Sequence, residues 1–135
     1  MRVFLSLMVL LLAFSSVQPA GAADTMADRT ADKTRLQAAM QQYIDRNKVG
    51  DALLQLDFET GETRKLYPTQ AHPMIMQMGE HYVLCADLRD IEGKPVPVDF
   101  YIAPNGRRFT VYHTEIGNRS PLKALMQRGV VKNLR

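Results

Sequence analysis

The chain has 135 residues, with 17 Lys and Arg against 14 Asp and Glu, one Cys, eight Met and no Trp, and 46% of it is apolar. These figures exclude a multidomain enzyme, a disulfide-stapled mini-protein and a charged disordered tail. A formal charge of +3 carried by scattered basic residues makes no electrostatic case for nucleic acid; the doublet Arg107-Arg108 simply follows a turn.

The first segment reads as an export signal. Arg2 precedes a Leu- and Phe-rich run from Val3 to Val17, and Gln18-Pro19-Ala20-Gly21-Ala22 places Ala20 and Ala22 at the A-x-A spacing that signal peptidase recognises. The apolar run is about 15 residues, short of the roughly 20 that span a hydrocarbon core. The expectation is a signal peptide over residues 1–22, cleaved after Ala22, a periplasmic or secreted product, and no stable membrane anchor once the signal is gone. Cleavage leaves 113 residues, one domain's worth. A lone Cys85 in an oxidising compartment has no internal partner, and inside an apolar strand it is expected to be buried.

Residues 23–31 lack an apolar stripe and read as a flexible leader before a single domain over 32–135. From Asp32, a candidate N-cap, Leu36, Ala39, Met40, Tyr43 and Ile44 recur at helical spacing, with Arg35 and Arg46 among the polar residues opposite. Gly50 ends this helix. Strands follow over 52–58 and 63–67 around a Gly61 turn. After a loop over Pro68 to Pro73 come strands at 74–78, 81–88, 96–102 and 108–116, punctuated by Gly79-Glu80, Asp90 to Gly93 and Asn105-Gly106. Ser120-Pro121 reads as a cap and first helical residue, Leu122, Leu125 and Met126 as a short stripe, and Gly129 as its stop. The fold class is therefore α+β: an N-terminal amphipathic helix on an antiparallel meander of five to six strands, with a short C-terminal helix.

Alternation along the strands assigns two faces. One carries Ile75, Tyr82, Leu84, Ala86, Leu88, Val96, Val98, Phe100, Ile102, Phe109 and Val111, a core for the long helix. His113 is expected on this face beside Val98. The other carries Met74, Met76, Met78, His81, Val83, Cys85, Asp87, Asp99, Tyr101 and Tyr112. Pairing across Gly79-Glu80 puts Met78 opposite His81, Met76 opposite Val83 and Met74 opposite Cys85; pairing across Asn105-Gly106 puts Tyr112 opposite Asp99.

A solvated sheet face normally shows Lys, Glu, Thr and Gln. This face of sulfur, imidazole, phenol and carboxylate needs a cover: the short helix, a partner or a ligand. Its residues Met74, Met76, Met78, His81, Cys85, Asp87, Asp99, Tyr101 and Tyr112 are the candidate binding set, for an unknown protein or small molecule, with a homodimer among the options. The main expectation is a non-enzymatic binding domain. A soft-metal carrier is the alternative, with Met76, Met78 and His81, or Met74, Met76 and Cys85, as ligands for Cu(I) or Ag(I). His81 and Cys85, about 13 Å apart along a strand, do not share an ion. A Cys-dependent enzyme needs a His on Cys85 and a third group to orient it, and neither His72, expected in a loop, nor His113 is placed for that. Asp87 and Asp99 flank Cys85, but an Asp within an apolar strand more often holds a Tyr or Arg, here Tyr112, Arg89 or Arg119.

The run Gly79-Glu80-His81-Tyr82-Val83-Leu84-Cys85-Ala86-Asp87, with Val98-Asp99-Phe100-Tyr101 and Asn118-Arg119, resembles uncharacterised small exported bacterial proteins across residues 32–134. That resemblance implies no activity or site. A helix lying across a bent meander also resembles the cystatin-like architecture in topology, without its N-terminal glycine or hairpin-tip motif.

Overall fold

The computed structural model describes residues 26–134; the expected signal segment lies outside them. No described helix is long and apolar enough to cross a membrane. Helix α1, Met26–Asn47, buries Leu36, Met40 and Ile44, one residue per turn along a single stripe. It begins six residues before the expected start, so residues 26–31 are helical rather than a loose leader, and Asp32 is an interior residue paired with Arg35. An apolar stripe is not required there: once the packed turns exist, the exposed Asp28, Arg29, Thr30 and Ala31 propagate the helix without a buried face.

The sheet follows in chain order. Strands β1 (Lys48–Val49), β2 (Ala52–Leu56), β3 (Thr63–Met78), β4 (His81–Arg89), β5 (Pro95–Asn105) and β6 (Arg108–Ile116) form an antiparallel meander in which each pairs with its sequence neighbours. Strand β3 is a single 16-residue element, so the expected loop over 68–73 is strand. The breakers are absorbed by register shifts between Pro68 and Gln70 and between Ala71 and Ile75, bulges of the kind that let Pro sit in an edge segment. The sheet curls until Gln55 of β2 donates to the Ile116 carbonyl of β6 at 3.4 Å.

Within that curl α1 meets the expected core face. Leu84, Ala86, Leu88, Val96, Val98, Phe100 and Ile102 are buried with Leu36, Met40 and Ile44, and Tyr82, Phe109 and Val111 pack at the margin. Tyr43 meets Phe100 edge-on at 6.0 Å.

The opposite face is covered by the chain's own end. Helix α2, Ser120–Gln127, has Arg119 rather than Ser120 at its N-cap; the Ser120 amide is taken by Asn118 Oδ1 at 3.1 Å. Gly129, at φ 70°, stops α2 with paired bonds from the Gly129 amide to the Met126 carbonyl and from the Val130 amide to the Leu125 carbonyl, both 3.0 Å. That is the Schellman arrangement, which a left-handed glycine permits. The turn sends β7, Lys132–Asn133, antiparallel along Met76 and Gln77 of β3.

Candidate functional site

Strand register places the residues of the second face. Met78 lies opposite His81 and Met76 opposite Val83, as the two-residue turn requires. The methionines thus point away from α1. Met74 does not lie opposite Cys85, because the β3 bulge falls there; it is 49% exposed. Met76 is 2% exposed and packs with Val83, Cys85, Tyr101, Leu122 and Val131, with Met78 and Leu125 at the edge. The sulfur face is a second small core beneath α2.

The second hairpin differs by register. Its turn is Gly106-Arg107, with Asn105 opposite Arg108, and a shift at Tyr101/Ile102 leaves Tyr112 unpaired in the ladder. Asp99 therefore faces Glu115, not Tyr112, and His113 faces Tyr101 on the second face rather than Val98 in the core. Tyr112 instead bonds His81 Nδ1 at 3.0 Å.

Each imidazole has a partner other than sulfur. His72 Nε2 meets Asp87 Oδ2 at 2.9 Å and His113 Nε2 meets Glu115 Oε1 at 3.0 Å. Cys85, 3% exposed, has its thiol pushed up to about 12, first by burial and then by the Asp99 carboxylate beside it. A thiol held protonated is no nucleophile. Asp99, fully buried, lies 3.3 Å from Arg119 Nη2 at the head of α2. Both Asp99 oxygens, the Tyr101 hydroxyl and Arg119 Nε and Nη2 are buried without a hydrogen-bond partner among the described residues. Burial, with Asp99 next, also raises the Tyr101 phenol. Among the described residues no three His, Cys, Asp or Glu side chains group to hold a metal; Met76 is enclosed and His81 engaged by Tyr112. The Asp99–Arg119 ion pair links the head of α2 to β5.

Open surface lies at the two ends of the meander, which single-strand reasoning did not reveal. At one end the turn after β2 exposes Phe58 (91%) and the turn after β4 exposes Ile91 (82%). The turns share a device. Asp57 Oδ1 accepts the amides of Glu59 and Thr60 at 2.8 and 3.2 Å, and Asp90 Oδ1 those of Glu92 and Lys94 at 3.0 and 2.8 Å. The Glu59 amide, then that of Thr60, holds the Asp57 carboxyl below its ordinary range. Each Asp thus pins a turn that points the next, apolar residue outward. Phe58 and Ile91, with Leu56 and Tyr67, line a groove of about 880 Å³. The visible signal was the repeated Asp-apolar-Glu of Asp57-Phe58-Glu59 and Asp90-Ile91-Glu92.

At the other end α1 and the β5–β6 hairpin enclose a groove of about 540 Å³ lined by Arg35, Arg46, Arg107 and Arg108. Its sequence signal was the 11-residue spacing of Arg35 and Arg46, three helical turns on one face.

Comparison of the chain with protein-family models, curated proteins and solved structures gives no match.

Proposed function

We propose that this chain is an exported, non-enzymatic interaction domain that pairs with a second copy of itself through its two apolar hairpin tips. The observation that carries the proposal is the outward presentation of Phe58 and Ile91 on turns held by their own aspartates. A large apolar side chain kept almost wholly in water on a rigid turn forfeits about 1.5–3 kcal/mol of burial, and adjacent ones mark a contact surface. Export rests on Arg2, the apolar run and the small residues at Ala20 and Ala22. The non-enzymatic part rests on the protonated Cys85 thiol, whose neighbouring charged groups are Asp99, Arg119 and Asp87 and include no imidazole to serve as its base.

The rim of the groove supports a second copy as the occupant. Glu59 and Glu62 line it together with Arg64 and Lys65, a mixed-sign rim that a twofold axis can match with itself. The Met and Cys face contributes stability beneath α2, and the tips provide the contact.

Light scattering across a concentration series tests this. The expected result is a mass that rises from one chain to two, with a Phe58→Ser/Ile91→Ser variant remaining at one chain and keeping its circular dichroism. A single-chain mass at every concentration, or a dimer indifferent to both substitutions, overturns the proposal.

A further inference from the structure

Three of the four arginines around the groove between α1 and the β5–β6 hairpin have no carboxylate within ion-pair distance among the described residues: Arg46, Arg107 and Arg108. The fourth, Arg35, pairs with Asp32 and sets its guanidinium 5.8 Å from the Phe109 ring centroid. No acidic residue lines the groove; Ala38, Ala39 and Phe109 form its apolar wall, and Gln42, Asn105 and Thr110 supply neutral polar groups. Like charges placed together repel each other, and such a cluster normally interleaves acids.

We infer that this groove is a binding site for a small extended polyanion carrying two or more phosphate groups. A guanidinium offers a planar fork of donors that fits phosphate oxygens two at a time. Arg35 and Arg46 are 11 residues apart on α1, about 16 Å along its axis, so one phosphate does not reach both, whereas a linked chain of them extends along the groove that Arg107 and Arg108 also line. The volume of about 540 Å³ suits a small molecule. The apolar wall excludes water on one side and strengthens each polar interaction. The site lies at the opposite end of the meander from Phe58 and Ile91, so it stands independently of the self-pairing surface.

Isothermal titration of the folded protein at low salt with tripolyphosphate, orthophosphate and citrate tests the inference. Tripolyphosphate is expected to bind at least about tenfold more tightly than either of the others, with affinity falling as salt rises. Arg107→Ala/Arg108→Ala is expected to weaken it about a hundredfold, roughly tenfold for each guanidinium removed. Arg107→Lys/Arg108→Lys keeps the charge without the forks and is expected to lose about tenfold. Lys123→Ala/Arg128→Ala, an equal charge change on α2, is expected to bind as the parent does. Equal weakening by the α2 variant, parental affinity in the lysine variant, citrate binding as tight as tripolyphosphate, or no binding at all overturns it.

Discussion

Cys85 gives the most direct quantitative test of the covered second face. The thiol rises from an ordinary 9.0 to about 12, so at any pH below 9.0 its thiolate fraction falls about a thousandfold relative to the unfolded chain. A more basic thiolate is the better nucleophile, and a Brønsted slope of about 0.4–0.5 returns a factor of roughly 20. Ionisation alone therefore slows alkylation about fiftyfold, and enclosure by Leu122 and Val131 slows it further. The assay is iodoacetamide labelling followed by mass spectrometry, native against urea-unfolded. A Leu122→Ala variant sharpens it. Truncating a buried Leu costs about 2–5 kcal/mol, and if α2 opens as a local unit the open form becomes at least about thirtyfold more populated, with labelling faster in proportion. A native rate within about fivefold of the unfolded one refutes the burial argument; a Leu122→Ala rate equal to the parent's refutes α2 as the gate.

Other consequences follow from the same packing. Folded Cys85 keeps its proton to about 12 while the unfolded chain releases it near 9.0. Its stabilising contribution is thus full below 9.0 and is lost at about 1.4 kcal/mol per pH unit above it. Urea midpoints measured over that range should fall less steeply in Cys85→Ala, and equal slopes contradict the assignment. Phe100 is fully buried against α1, so Phe100→Ala should cost about 3–5 kcal/mol by chemical denaturation; a loss below about 1 kcal/mol places the core elsewhere. Gly129 sits at φ 70° with open space where a Cβ would stand, so Gly129→Ala carries only the backbone cost of about 1–2 kcal/mol, measured as a lowered midpoint, while Lys123→Ala on the exposed side of α2 should leave it unchanged.

The core face was readable because period-two alternation over β4 and β5 needs no knowledge of partners: Leu84, Ala86, Val98 and Phe100 fall on one side whatever they pair with. The methionines were also placed on the side away from α1, since Gly79-Glu80 closes a tight turn that fixes Met78 against His81. Errors began where the backbone breaks its own period. Pro68 and Pro73 look like loop residues locally, yet the stretch of β3 between its pairings with β2 and β7 accommodates both through bulges. One shift at Tyr101/Ile102, invisible as composition, moved His113 from the core face to Tyr101 and freed Tyr112 to reach His81. The identity of the cover was equally hidden. An eight-residue helix carries a stripe but no address; the Gly129 turn, the pairing of β7 with β3 and the Arg119–Asp99 ion pair direct it to Met76.

Both proposed surfaces follow from parity in the meander more than from any single residue. Each strand reverses the chain, so alternate turns share an end: the Phe58 and Ile91 turns fall at one end, and Gly79-Glu80 and Gly106-Arg107 at the other. Asp57-Phe58-Glu59 and Asp90-Ile91-Glu92 are 33 residues apart in sequence yet become neighbours because two strand reversals separate them. By the same count, the Gly106-Arg107 turn falls at the end of the turn that joins β1 to β2, and Arg107 and Arg108 line one groove with Arg46. A net charge of +3 concealed this, because it averages an arginine-lined groove with glutamate-bearing tips. The separation keeps the two proposals experimentally distinct: removing Phe58 and Ile91 should leave tripolyphosphate binding intact, and removing Arg107 and Arg108 should leave self-pairing intact. Loss of both properties in either variant would mean that the two ends act through one shared interface, which the strand order of a monomer does not permit.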